Sequence, residues 1–240
     1  IALEAIKRGA SDFLTKPFDA SRLQVTLENV VAKLQAETAY NDQFIRAFDS
    51  DTISPEKISL ALEQFMLSIV SMDSKYDRFL KGEDSLSESE QRGMQLFFTE
   101  FDPFGIEKGA ECFHCHGGMN FTNNKFMNNG LDLFDEITDK GFFETTEIPS
   151  DIGKFKVTSL RNIAMTPPYM HDGRFETLEE VIDHYDTGVK NSETLDPLMQ
   201  FNLLPEGLQL TTQDKSDIID FLHTLTDDAL LENEAYASPF

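Results

Sequence analysis

Cys112 and Cys115 are the only cysteines in this chain, and both lie in the pentapeptide Cys112-Phe113-His114-Cys115-His116. Cys-x-x-Cys-His is the pattern of covalent c-type haem attachment. Each thiol adds across a vinyl group to form a thioether, and the two-residue spacing brings both thiols to one edge of a porphyrin. His116 then falls beneath the metal as its proximal ligand. A chain with this pattern must fold around a large, flat, apolar group, so the motif limits the architecture severely. The same cysteine spacing also serves thioredoxin-like redox pairs and zinc sites. A zinc site would need a second ligand pair, and the chain has no further cysteine. A redox pair would follow a buried strand, whereas Glu107-Lys-Gly-Ala-Glu111 is polar and contains glycine.

The 240 residues could form one large or two small domains, and 40% hydrophobic residues suffice for a packed core. A formal net charge of -23 argues against nucleic-acid binding. The acidity solubilises the surface and would steer a cationic partner. No apolar run reaches membrane-spanning length. Tryptophan is absent, but the 21 phenylalanines suit an apolar cofactor pocket. Because haem c is attached outside the cytoplasm, a periplasmic or secreted location is expected. The chain has no signal peptide and begins at Ile1 rather than Met, so it is expected to be a fragment of a longer protein.

The patterning is helical with long loops. Residues 1–10 read as a helix stopped by Gly9, Asp12 to Pro17 as a short strand, and Ala20 to Gln35 as an amphipathic helix with Leu23, Leu27, Val30, Val31 and Leu34 on one face. Ser54-Pro55 opens a helix whose apolar stripe is Ile58, Ala61, Leu62, Phe65, Met66 and Ile69. Ser87-Glu-Ser-Glu90 and Thr177-Leu-Glu-Glu180 are capping boxes, the second opening a helix through Tyr185. Residues 117–158 are rich in Gly, Asn, Asp and Thr and read as an irregular excursion. A last helix starts near Thr211. The expected fold is all-α: a cytochrome c-like haem domain over residues 38–240, preceded by a short helix-strand-helix segment over 1–37.

Together with the haem motif, three stretches carry a resemblance: Phe155-Lys-Val-Thr-Ser-Leu-Arg-Asn-Ile-Ala164, Thr166-Pro-Pro-Tyr-Met-His-Asp-Gly173, and the run from Arg174 to Tyr185. Phe121-Thr-Asn-Asn and Asn129-Gly-Leu131 fit it as well. Residues 38–240 resemble the C-terminal haem domain of the bacterial dihaem cytochrome c peroxidase/MauG family. The resemblance implies a periplasmic oxidoreductase with two c-haems. One haem reacts with hydrogen peroxide, and the other takes electrons from a small cytochrome c or cupredoxin. Only the second haem motif is present here, so this part alone is expected to show little peroxidase activity. A homodimer is also in keeping with the family. Residues 1–37 separately resemble the end of a response-regulator receiver domain, with Lys16 as a phosphate-pairing residue and a cis bond before Pro17.

The resemblance also implies site residues. Peroxidases place a methionine iron ligand fourteen residues after the His of the Pro-Tyr-x-His motif. Here that His is His171, and the position holds Tyr185, as in MauG-like members. A phenolate ligand favours ferric iron and lowers the potential relative to methionine. The alternatives are a core role for Tyr185, or ligation by Met170 or His184. The backbone carbonyls of Thr166 and Pro168 would bind a structural calcium completed by an Asn of the other domain. Arg161 would pair with a haem propionate or form a surface ion pair. His171 is expected to hold its loop by a hydrogen bond, His114 to be an exposed linker residue and His223 to lie on a helix surface. Met127 stands where many relatives have His. Two other functions remain open: a stand-alone monohaem electron carrier, and a signalling fusion containing a receiver.

Overall fold

The computed structural model describes residues 20–105 and 108–237. The helix and strand read from residues 1–17, with Lys16 and the bond before Pro17, lie outside the described residues. Two compact units divide the chain, Ile1–Val70 and Ser71–Phe240.

In the first unit, helix α1 (Ala20–Ala36) is followed by α2 (Thr38–Phe48) and α3 (Pro55–Ser68). The expected face of α1 is present: Val30, Val31 and Leu34 are half-buried, while Leu23 and Leu27 are exposed. Gln35 ties the three helices' connections together. Its amide donates to Asn41 Oδ1 at 2.7 Å and to the Asp51 carbonyl at 2.9 Å, and its Oε1 accepts from the Ile53 N–H at 2.9 Å. Gln35 and Asn41, on either side of residue 37, thus meet within this unit. Ser54 caps α3 as its sequence indicates, accepting from the Lys57 N–H at 3.3 Å. The apolar stripe of α3 is a departure from expectation: periodicity made the helix, but no residue of α3 is buried.

The second unit holds the haem motif. Its helices are α4 (Lys75–Lys81), α5 (Glu88–Phe98), α6 (Phe113–His116), α7 (Phe143–Thr146), α8 (Leu178–Asp183), α9 (Thr212–His223) and α10 (Asp228–Leu231). Reciprocal capping boxes start α4 at Ser74/Asp77, α5 at Ser87/Glu90, α8 at Thr177/Glu180 and α9 at Thr211/Asp214. Each satisfies N–H groups that a helix start leaves without partners. The excursion over 117–158 contains one two-stranded ribbon, with β1 (Phe126–Met127) antiparallel to β2 (Phe155–Lys156) and Met127 opposite Phe155. The described residues are otherwise helices, short 3-10 turns, one π-turn and loops, in keeping with an all-α cytochrome c-like fold.

The core forms where α5 crosses α9. Gly93 sits at the crossing, where a Cβ would stand 1.8 Å from the Asp217 carbonyl oxygen. Only a residue without a side chain permits that approach. Around it Phe97, Phe121 and Phe221 are almost fully buried. Phe97 and Phe221 lie 5.3 Å apart between ring centroids, and Tyr76 meets Phe221 edge-on at 5.4 Å. Edge-to-face pairs of this kind add roughly 0.5–1.5 kcal/mol beyond area burial. The Asp217 side chain, 2% exposed, binds Arg92 across the crossing through Nε at 2.7 Å and Nη2 at 3.0 Å. Ser89 and Gln213 also donate to it.

Two outcomes follow from this crossing. Gly93→Ala forces the helices apart and is expected to cost about 1–3 kcal/mol or more, read as a lower denaturation midpoint. The Arg92 fork, outweighing burial, holds the Asp217 carboxyl down at about 2 against an ordinary value of 3.8. A carboxyl lowered on folding stabilises above its unfolded pKa and loses that contribution as pH falls through the folded one. Unfolding titrations should show stability declining from pH 3.8 toward 2, with a shallower decline in Asp217→Asn.

Candidate haem site

Helix α6 is a single turn that carries the whole attachment motif. Cys112 stands at its N-cap and Cys115 one turn along, so the thiols share a face. Both cysteines are free. Burial pushes the Cys112 thiol up to about 12 and the Cys115 thiol up to about 11, so both are protonated. Cys112 Sγ donates to the Ala110 carbonyl at 3.5 Å. Burial lowers the pKa of His116, so its ring is neutral, as a metal ligand requires. His116 Nδ1 lies 3.1 Å from the Phe121 carbonyl, and the Thr158 carbonyl also faces the ring. A carbonyl only accepts, so Nδ1 carries the proton and Nε2 keeps its lone pair for iron. Asn123 secures the turn: its N–H donates to the Cys115 carbonyl at 2.8 Å and its amide to the His114 carbonyl at 3.3 Å.

The Tyr185 hydroxyl is in electrostatic range of both thiols. Tyr185 does not continue α8 as a regular helical residue. After Asp183 the chain widens into a π-turn over His184–Gly188, a form concentrated at functional sites. The turn is pinned from the loop before α9 and from α9 itself. Asn202 donates to the Tyr185 carbonyl, the Leu208 N–H donates to the Asp186 carbonyl at 3.2 Å, and Lys215 Nζ pairs with the buried Asp186 carboxylate at 2.7 Å. Gly207 makes this closeness possible, since a Cβ there would lie 1.8 Å from the Asp186 carbonyl oxygen. Burial pushes the Tyr185 phenol up to about 12, while an N–H from Asn129 at 3.1 Å pulls it down. Without a bound cation the phenol stays neutral; a ferric centre is the charge that would draw out its proton.

The other ligand candidates are also accounted for. Met170 Sδ accepts from the Asn129 amide at 3.5 Å, and Met170 adopts the left-handed backbone at φ 71°. His184 is buried and its Nε2 donates to the Asn129 main-chain carbonyl at 3.1 Å, which removes that nitrogen as an iron ligand. Two expectations need correction. His171 stacks flat on Phe155, with centroids 3.7 Å apart and planes 11° apart, in place of the expected hydrogen bond. His114 is half-buried rather than an exposed linker: it packs on Phe113 and lies 3.0 Å from Glu100 Oε2. His223 is exposed on α9, as expected. Met127 is half-buried in β1, with Asn123 Nδ2 3.4 Å from its sulfur.

Arg161 departs from its expected partner. Its fork grips Asp77 at 2.8 and 2.9 Å, and its Nε donates to the Met119 carbonyl at 3.0 Å. This ion pair is buried rather than on the surface, with side chains 11% and 10% exposed. Burial alone would raise the Asp77 carboxyl; the Arg161 fork and Ser74 bring it to about 2. The pair fastens the segment after the excursion to the start of α4. Thr166 and Pro168, the expected calcium ligands, lie on an exposed loop, and Thr166 Oγ1 donates to the Ile163 carbonyl.

The residues present suit a c-type haem. The donor set is two protonated thiols able to add to vinyl groups and a neutral imidazole held by its far nitrogen. Cys112 packs against the core together with half-buried apolar side chains, among them Phe113, Leu160 and Phe175.

A family model described as di-haem cytochrome c peroxidase matches residues 5–85, a span that crosses residue 37. MauG, the methylamine utilization protein of Methylophilus methylotrophus, is 32% identical over 216 residues, covering 88% of this chain and 59% of MauG. Cytochrome c551 peroxidase of Nitrosomonas europaea is 29% identical, covering 93% of this chain and 59% of that protein. A crystal structure of a MauG-like protein associated with microbial copper homeostasis superposes with a TM-score of 0.81 at 33% identity, covering 98% of this chain and 71% of that one. The chain belongs to the dihaem cytochrome c peroxidase/MauG family. It spans about three-fifths of the length of those two curated relatives.

Asn129, Asn202, Asp77 and the π-turn escaped the sequence reading. Asn129-Gly was visible only as part of a family-like run, and nothing local announces what its amide meets. Arg161→Ala is expected to cost about 3–5 kcal/mol by leaving the Asp77 carboxylate buried and unpaired. The double variant with Asp77→Ala should recover part of that loss, measured by denaturant unfolding.

Proposed function

We propose that this chain is the electron-transfer haem domain of a MauG-like or cytochrome c peroxidase-like oxidoreductase. Cys112 and Cys115 tether haem c, His116 is the proximal ligand and Tyr185 the distal one. When bound, the haem supplies an iron that exchanges one electron at a time between ferric and ferrous states. The observation that carries this reading is the His116 imidazole, directly after the two motif thiols, with its Nδ1 taken by the Phe121 carbonyl, and the buried Tyr185 phenol within electrostatic reach of both thiols. With His116 and Tyr185 both holding the iron, a bound haem would have no place left for substrate. The domain therefore passes electrons and leaves peroxide chemistry to a second haem outside this stretch.

Hydrogen peroxide takes two electrons and two protons to give two waters, so a partner haem must be supplied repeatedly. The proposed donor is a small periplasmic cytochrome c or cupredoxin, drawn to this acidic chain by opposite charge. The proposed location is the periplasm, where haem c is assembled; no helix among the described residues is long and apolar enough to cross a membrane. Hydrogen peroxide or an oxidisable protein side chain is the proposed substrate of the whole enzyme. The Thr166 and Pro168 carbonyls are proposed to contribute to a calcium site shared with the other domain.

The test begins with intact mass and a pyridine haemochrome spectrum after maturation in a host competent for cytochrome c assembly. One covalent haem is expected on this stretch, and no added mass would end the reading. In that holoprotein Tyr185→Met should raise the reduction potential and shift the Soret and charge-transfer bands. Unchanged spectra would remove Tyr185 from the iron.

A further inference from the structure

All three groups able to compete for the distal position meet a single residue. Asn129 Nδ2 lies 3.1 Å from the Tyr185 hydroxyl oxygen and 3.5 Å from Met170 Sδ, while its main-chain carbonyl holds His184 Nε2 at 3.1 Å. A thioether sulfur accepts but does not donate, and a deprotonated phenol likewise only accepts. The carboxamide carries two N–H groups, one for each neighbour. Both acceptors therefore orient the NH2 end of Asn129 toward the ligand space.

Asn129 is itself held on both sides. Asn128 is buried: its amide donates to Thr194 Oγ1 at 2.9 Å, its Oδ1 accepts from the Gly130 N–H at 2.8 Å, and its carbonyl accepts from the Asp196 N–H at 3.0 Å. Gly130, at φ 68°, offers its carbonyl to the Lys190 N–H at 2.7 Å. A Cβ at Gly130 would come within 2.6 Å of Val189 and 2.8 Å of the Lys190 carbonyl. Neighbours this constrained leave Asn129 little freedom to retreat. A rigid support of this kind is what fixes a ligand's rotamer before the metal arrives.

We propose that Asn129 is the positioning residue that selects the distal iron ligand, directing Tyr185 to the metal and holding Met170 and His184 off it. The three exits are closed by different atoms of one residue. Tyr185 is presented by a donor that strengthens as its oxygen gains negative charge. Met170 is engaged by the weaker sulfur contact, and His184 is occupied through the main chain. Removing the side-chain donor releases Tyr185 and Met170 together but leaves the His184 contact intact. Met170 is thus the successor ligand.

The proposal rests on ligation by Tyr185, and the experiment separates the two ideas. Haem-loaded wild type, Asn129→Leu, the near-isosteric Asn129→Asp and Tyr185→Phe are compared by electronic absorption, electron paramagnetic resonance and redox titration. Tyr185→Phe is expected to lose the phenolate signature; an unchanged spectrum there ends the ligation reading and this proposal with it. Asn129→Leu is expected to lose the same signature, gain thioether-to-iron absorption and show a higher potential. Adding Met170→Leu to it should abolish the new band. Asn129→Asp, which keeps the size but replaces the donor by a like charge facing the phenolate, should shift in the same direction and covers the case in which the leucine variant fails to fold. Asn129→Gln, which keeps the two N–H groups, should retain part of the wild-type signature. Wild-type spectra and potential in Asn129→Asp, alongside an altered Tyr185→Phe, would overturn the role of Asn129 while leaving Tyr185 on the iron.

Discussion

The haem-binding unit depends on the approach of two helices at a point where neither has a side chain to spare. Gly93 lets α5 lie against the backbone of α9, and the crossing is locked by the carboxylate of Asp217 gripping Arg92. That contact sets the positions of Phe97 and Phe221, whose rings close over Phe121. Phe121 in turn offers its carbonyl to His116. The His116 imidazole is thus oriented by a chain of contacts that begins at a glycine more than twenty residues before it. Displacement at the crossing is felt at the ligand because a close-packed core transmits strain instead of absorbing it.

Tyr185 is placed differently. No long helix presents Tyr185; a widened turn does, and the turn keeps its shape only because Asn202, Leu208 and Lys215 hold its carbonyls and carboxylate from another part of the chain. The candidate ligand and its support come from elements far apart in sequence. One side of the site rests on helix packing and the other on a hydrogen-bonded loop. Helix α9 serves both, through Asp217 at the crossing and Lys215 at the turn.

What could be read from the residues alone was whatever is local. The attachment motif, the Ser87/Glu90 and Thr177/Glu180 capping boxes and the start of α9 near Thr211 depend on spacings of a few residues, and the structure contains them, with the short α10 following where no further helix was expected. Gly93, Asp217 and Asp77 were invisible because their significance lies in partners many residues away. Arg161 was noticed, but its partner was not: a guanidinium suits a propionate and a carboxylate equally, and only the fold brings Asp77 within reach. The stripe on α3 shows the reverse case. Helical periodicity predicts the helix correctly without saying what, if anything, covers its apolar side.

The protonation of the two thiols bears on their reactivity. The thiolate is the reactive form in sulfur chemistry, and burial in the closed fold keeps both sulfurs far from it. Burial in the fold as it stands therefore holds the pair in the protonated, less reactive form.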